Sequence, residues 1–244
     1  MAKSRAAEQT GLIIFARYDS ARLPGKALRP LAGRALLGWV IDRAHQVLDN
    51  LPVMVATSER AVDDPIADFA EKEGIGLYRG STHNVAGRAL AAAEAAGLGA
   101  FARISGDSPF FDYTLLEDMI VRQQDADLDL HTNVMLRSYP AGASCEVIKV
   151  AAMRRLVVAA RNAEEREHVT LYFYRHPEQF RIENIKASND RYQGVRLVVD
   201  TAADLARADW IARCLEGRLV AATLDEISGL ARTWDRNQCS ELRP

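Results

Sequence analysis

Short apolar runs alternate along this chain with segments of helical periodicity, and that alternation restricts the fold more than any other feature. Leu12 to Ala16 reads as a first strand, and a helix over Ala35 to Leu48 follows, with Leu36, Leu37, Val40, Ile41, Ala44 and Val47 at helical spacing. The pattern repeats as strand Pro52–Ala56 with helix Asp63–Lys72, strand Gly76–Tyr78 with helix Val85–Ala96, and strand Ala100–Ser105 with helix Thr114–Gln124. Strand and helix in strict alternation signify βαβ units, hence an α/β chain with a mostly parallel sheet. Beyond Asp127 the pattern loosens. Strands are expected at Leu128–Val134 and Cys145–Val150, helices at Ala151–Ala160 and Glu164–Tyr174, a last strand at Arg196–Val199, and closing helices at Ala203–Leu215 and Leu224–Arg232. Residues 1–10 read as a polar tail and 11–244 as one domain, with 127–186 a less regular sub-lobe.

Charge is gathered rather than spread. Between Phe15 and Arg34, five cations (Arg17, Arg22, Lys26, Arg29, Arg34) stand against one acid, Asp19, although the whole chain carries a net −2. A negative total argues against a general nucleic-acid binder, and the local cationic surplus marks a place for a small anionic ligand. The segment directly follows the first strand. Asp107 and Asp200 each close a predicted strand, and ligands of open α/β sheets bind beyond the carboxyl ends of strands. Basic segment and carboxylates are therefore expected on one edge.

In Arg17-Tyr-Asp-Ser-Ala-Arg22-Leu-Pro-Gly25-Lys26, the arginines offer planar forks, the lysine a point charge, and Gly25 a bend free of a Cβ. Such a set can hold a phosphate chain, although neither the P-loop nor the dinucleotide glycine spacing is present. An aspartate after a glycine at a strand end, as in Gly106-Asp107, can approach a metal ion bound to phosphate oxygens; a turn aspartate is the plainer alternative. Thr201 beside Asp200 can cap the helix that follows. Cys145, Cys214 and Cys239 are far apart and odd in number, so neither a disulfide framework nor a zinc site is expected, and a reducing cytoplasm is the simpler setting. No apolar run is long enough to enter a membrane.

Residues 13–41 resemble the N-terminal signature of the cytidylyltransferases that make CMP-activated sugar acids, a group that includes CMP-KDO synthetase and acylneuraminate cytidylyltransferase. RISGDSPFFD (103–112), EREHVTLYFYRHP (165–177) and RLVVDTAADL (196–205) resemble further motifs, in order, of the spore-coat-polysaccharide branch. The resemblance implies a Rossmann-like nucleotidyltransferase fold, a three-layer sandwich, and transfer of CMP from CTP to a small anionic sugar-acid-like acceptor with release of pyrophosphate. It implies Mg2+ on Asp107 and Asp200, with Arg22, Lys26 and Asp107 as catalytic groups. It places Ala16, Arg17, Ser20, Arg22, Gly25, Lys26, Thr57, Arg79 and Asp107 at the nucleotide, Arg79 against the base. Glu146, Arg166 and His168 fall on the acceptor side, and a homodimer is implied. Alternatives are a nucleotide-sugar-dependent glycosyltransferase, a sugar-1-phosphate pyrophosphorylase, or an impaired nucleotide-binding protein. Asp127-Leu-Asp129 has a glycosyltransferase metal spacing but sits where a strand should begin. Asp19 stands where glycine is usual, so it would weaken triphosphate binding unless it bridges to Mg2+ or an arginine.

Overall fold

The computed structural model describes residues 9–241, with side chains as far as Gln238. The expected polar tail thus falls almost wholly outside the described residues, as does the Cys239 side chain. Among the described residues the strands are β1 (Thr10–Phe15), β2 (Pro30–Leu31), β3 (Arg34–Ala35), β4 (Val53–Ser58), β5 (Gly76–Gly80), β6 (Ala100–Ser105), β7 (Leu130–Thr132), β8 (Glu146–Lys149) and β9 (Ile182–Asn184). The helices are α1 (Leu36–Ala44), α2 (Asp64–Lys72), α3 (Val85–Ala95), α4 (Tyr113–Ala126), α5 (Val150–Ala159), α6 (Ala163–Glu167), α7 (Leu171–Arg175), α8 (Ala202–Cys214) and α9 (Leu224–Glu241). Seven strands form one sheet in the order β5-β4-β1-β6-β8-β7-β9, and β2 with β3 makes a separate antiparallel ribbon. Strands β5, β4, β1 and β6 are parallel, β8 alone runs against its neighbours, and β9 is parallel to β7. The sheet is mostly parallel.

Both faces of that sheet are covered, because its strands are apolar on both sides. Leu12, Ile14, Val55 and Ile104 pack with α1, α4, α8 and α9 on one face. Ile13, Met54, Phe101 and Ile148 pack with α3, α5 and α7 on the other. Helix, sheet and helix make three layers. No helix among the described residues is long and apolar enough to cross a membrane.

The strand expected at 196–199 is not in the sheet. Its backbone turns instead to one residue, with the amides of Leu197 and Val198 both donating to the Ala141 carbonyl (2.6 and 3.1 Å), while Val199 donates to the Asp107 carbonyl at 3.0 Å. Apolar character there serves burial of Leu197 and Val199 beside α8, not pairing. The helix expected over 164–174 breaks into α6 and α7, with His168 extended between them. Strand β9 was not legible in Ile182–Asn184, a short polar edge segment.

Candidate active site

Where β1 ends, the chain enters a loop pinned around Tyr18. The Tyr18 amide donates to a carboxylate oxygen of Asp63 at 2.6 Å, and its carbonyl accepts from the amides of Ser20 and Gly25 at 2.9 and 2.8 Å. Asp63 is fully buried and also accepts from the Ser58 hydroxyl and from Arg60. Gly25 has φ 69°, and the Tyr18 ring lies 3.0 Å from where a Cβ would sit, so glycine is required twice over. The bend delivers Lys26 inward.

Lys26 Nζ donates to Asp107 Oδ2 at 2.7 Å and to Asp200 Oδ1 at 2.9 Å. The cationic loop, Asp107 beyond the end of β6 and Asp200 beyond the 195–199 segment thus meet on one ammonium, though the carboxylates lie 81 and 174 residues from it in sequence. Arg22 and Arg196 reach the other Asp200 oxygen at 3.0 and 2.7 Å, and the Ser105 hydroxyl donates to Asp107 Oδ1 at 2.7 Å. Burial alone would lower the Lys26 pKa, but Asp107 and Asp200 outweigh it and hold the ammonium above the ordinary lysine value. Burial would likewise raise Asp200, yet Lys26, Arg22 and Arg196 hold its carboxyl below the usual range. This cluster lines an open cavity of about 440 Å³. Its walls come from Phe15 and Ala16, the Arg17–Arg22 loop, Val85 and Arg88 of α3, Ser105 to Asp107, Glu167, His168 and Asp200.

Among the described residues, no group of three or more His, Cys, Asp or Glu side chains is placed to hold a metal. A two-carboxylate set is nevertheless what Mg2+ takes when substrate phosphates and water complete its octahedron. Oxygens of Asp107 and Asp200 that already share one cation fit that donor set.

A family model described as Cytidylyltransferase matches residues 12–223. The chain belongs to the cytidylyltransferase family. It is 34% identical over 201 residues to the spore coat polysaccharide biosynthesis protein SpsF of Bacillus subtilis, covering 79% of this chain and 81% of that one. Among solved structures, a cytidylyltransferase from Leptospira borgpetersenii superposes with TM-score 0.83 at 25% identity, over 95% of this chain and 96% of that one. CMP:2-keto-3-deoxy-manno-octonic acid synthetase, solved with CTP, superposes with TM-score 0.63 at 18% identity, over 84% of this chain and 99% of that one, a likeness of fold.

In this cytidylyltransferase, Ala16, Arg17, Ser20, Arg22, Lys26, Asp107, His168 and Asp200 all face the cavity. Asp19 lies there too, but its carboxylate pairs with Arg60 at 2.5 Å and stands 4.0 Å from Arg17, so the arginine bridge it needed is present. Gly25 is a hinge of the loop and not a cavity wall. Four of the expected site residues lie outside the walls of this cavity. Arg79 is not among the residues that line the cavity; its Nε donates to the Ser58 carbonyl, and one terminal nitrogen donates to the Arg60 carbonyl and to Asp64. Thr57 is fully buried within β4 and lines no part of the cavity; its hydroxyl has no partner. Glu146 is 1% exposed and engaged by Arg103 and by the Tyr174 hydroxyl, so in this structure it is a buried counter-charge. Arg166 is exposed outside the cavity, and its neighbour Glu167 faces in. Asp127 and Asp129, the glycosyltransferase-like pair, are bound to Lys149, Arg181 and Arg155 away from this site. Sequence reading missed Asp63 and Arg88. Asp63 looks like an ordinary helix start before Pro65, and Arg88 like a solvent-facing charge on an alanine-rich helix.

Proposed function

We propose that this cytidylyltransferase transfers CMP from CTP to a small anionic, sugar-acid-like acceptor and releases pyrophosphate, with Mg2+ held by Asp107 and Asp200. The observation that carries the reading is the single ammonium of Lys26 held between those carboxylates at the mouth of a cationic loop. An acceptor oxygen attacks the α-phosphorus of CTP in line, one P–O bond forms, and the bond to the β-phosphate oxygen breaks. Such transfers rest on positioning and on neutralising charge. Arg17, Arg22 and the amides of the pinned loop would hold the triphosphate, and Lys26 would neutralise charge gathering on the leaving pyrophosphate. Mg2+, when bound, would neutralise phosphate charge and lower the pKa of an acceptor hydroxyl. Glu167, the last residue of α6, and His168, which follows it, border the cavity and would meet the acceptor. Membership of a homodimer is part of the same proposal.

The test is a screen of CTP, UTP, ATP and GTP against sugar acids, read out as pyrophosphate. Transfer should require CTP, an acidic acceptor and a divalent ion. Asp107→Asn should lower turnover by about 100-fold or more while CTP binding weakens less, because the carboxylate is needed where charge develops. Unchanged turnover in that variant would remove Asp107 from the mechanism.

A further inference from the structure

A second open cavity, of about 410 Å³, shares no wall residue with the one that Lys26 lines. Its volume falls within the range of small-molecule sites, about 300–1,000 Å³. Its walls come from the turn that precedes β8 and from residues 190–195, just before the segment that leads to Asp200. The transfer reaction as derived above makes no use of it.

Two wall residues are stacked tyrosines. The rings of Tyr139 and Tyr192 lie 5.6 Å apart between centroids, with their planes 28° from parallel. Tyr192 is 5% exposed, its hydroxyl donates to Asp225 at 2.8 Å, and the Arg191 guanidinium stands 5.0 Å from its ring. Tyr192 is therefore engaged at both ring and hydroxyl, and it backs the partly exposed Tyr139 as a fixed support. The ring left for a ligand is that of Tyr139.

Arg137, Ser138, Asp190 and Gln193 complete the wall. Arg137 donates to the Ser144 hydroxyl at 3.2 Å and makes no ion pair among the described residues, and Asp190 makes none there either. Ser138 accepts from the Ala187 amide at 2.8 Å, which leaves its own proton to donate. Guanidinium, carboxylate and carboxamide are planar groups with two donors or two acceptors side by side, a match for neighbouring hydroxyls on a ring. The polarised C–H groups on the face of a sugar ring suit the negative face of an aromatic one. One guanidinium and one carboxylate cancel in charge, so this wall asks for no ionised ligand, whereas the Arg17–Lys26 loop does.

We propose that this cavity binds an uncharged sugar ring, a hexose unit of a glycan, with one C–H face on Tyr139 and adjacent hydroxyls on Arg137 and Asp190. The proposal stands independently of the CTP reading.

Saturation-transfer NMR on the full chain tests it, with the methyl glycosides of glucose, galactose and mannose as probes and with CTP and Mg2+ added to occupy the other cavity. Magnetisation should reach the ring protons of at least one glycoside, most strongly along one face. Tyr139→Ala should weaken that binding by about 10-fold, the loss of one aromatic contact. Asp190→Ala removes an exposed side chain and should weaken it by about 10-fold, the loss of one charge-assisted bond. No transfer to any of the three probes, or transfer unchanged in both variants, overturns the proposal. Should Tyr139→Ala not fold, Asp190→Ala decides alone. Methyl glucuronide or cytidine binding more tightly than the neutral glycosides, with the same sensitivity to these variants, overturns the choice of an uncharged sugar.

Discussion

At the scale of the residue, Lys26 serves two carboxylates that would otherwise repel each other. Replacing it by methionine keeps the stem and removes the shared charge, leaving Asp107 and Asp200 facing without a cation between them. Lys26→Met should cost about 1–3 kcal/mol of stability, the range for hydrogen bonds to charged groups, because both carboxylates are largely withdrawn from water. Added Mg2+ should then raise the melting temperature of the variant more than that of wild type, since a divalent ion can take the vacated position. Thermal melts with and without Mg2+ measure this, and a variant indifferent to the ion would argue that the carboxylate pair is not a metal site. Turnover should fall by about 100-fold or more, read as pyrophosphate release.

At the scale of the element, the segment 195–199 is aimed by a turn rather than by a ladder. Gly142 has φ 98°, and a Cβ there would stand 2.3 Å from the Val198 amide nitrogen and 2.5 Å from the Leu197 carbonyl carbon. Gly142→Ala should therefore cost about 2–4 kcal/mol in urea unfolding, by overpacking against backbone and by left-handed strain. It should also lower turnover in the folded fraction, because the displaced backbone carries Asp200; a variant of wild-type activity would uncouple that turn from the site. Here too lies the limit of what was legible. The repeating strand and helix signals from Leu12 to Gln124 come from buried apolar periodicity, which sequence displays directly. Arg196–Val199 has the same apolar signal, and whether it pairs depends on the geometry of Ala141, 55 residues away. Lys26, Asp107 and Asp200 could be brought together on paper because strand ends share an edge. The directions of Arg79 and Arg88 could not, since they depend on which partners, Asp64 for one and the Ser81 carbonyl for the other, lie within reach.

Helix α4 and β7 supply the element-scale pH dependence. His131 is 2% exposed, its Nδ1 lies 3.1 Å from the Met119 carbonyl, and its Nε2 has no partner. The carbonyl requires a proton on Nδ1, and the buried Nε2 without a partner favours the neutral ring. Burial lowers its pKa, and the bond to Met119 offsets only part of that. With the folded pKa below the ordinary value of 6.5, the unfolded chain takes up the proton first. The contribution of His131 is thus complete above that value and is lost as pH falls through the folded pKa. His131→Asn retains a donor near the same place and does not titrate. Between about pH 7.5 and about pH 5.5, wild type should lose more stability in urea than this variant. Equal losses would show that the ring is hydrated or already charged.

At the scale of the whole molecule, two buried arginines differ in how fully the fold engages them. Arg88 ends at a cavity with a donor unspent, whereas Arg43 of α1 is fully buried with every donor nitrogen engaged. It donates to the Phe111 carbonyl twice, at 3.0 and 2.8 Å, and to the carbonyls of Leu219, Val220 and Ala222 at 2.7, 3.2 and 3.0 Å. These acceptors lie 68 and 176–179 residues along the chain, so one side chain ties α1 to the loop before α4 and to the connection between α8 and α9. The ring of Tyr113, 5.1 Å from the guanidinium carbon, adds a cation–π contact. Burial lowers the Arg43 pKa to about 10, which still leaves it protonated at neutral pH. Arg43→Leu would fill much of the volume but strand four carbonyls inside the core, each costing about 1–3 kcal/mol if no water reaches it. Partial relaxation makes about 3–5 kcal/mol the expected net loss in chemical denaturation, similar to breaking a buried charged pair. The loss should appear as a lower midpoint at an unchanged denaturant slope, because the folded core keeps its extent. A loss under about 1 kcal/mol would mean that the loop before α4 and the α8–α9 connection are held by apolar packing alone, and that Arg43 is a passenger in the core.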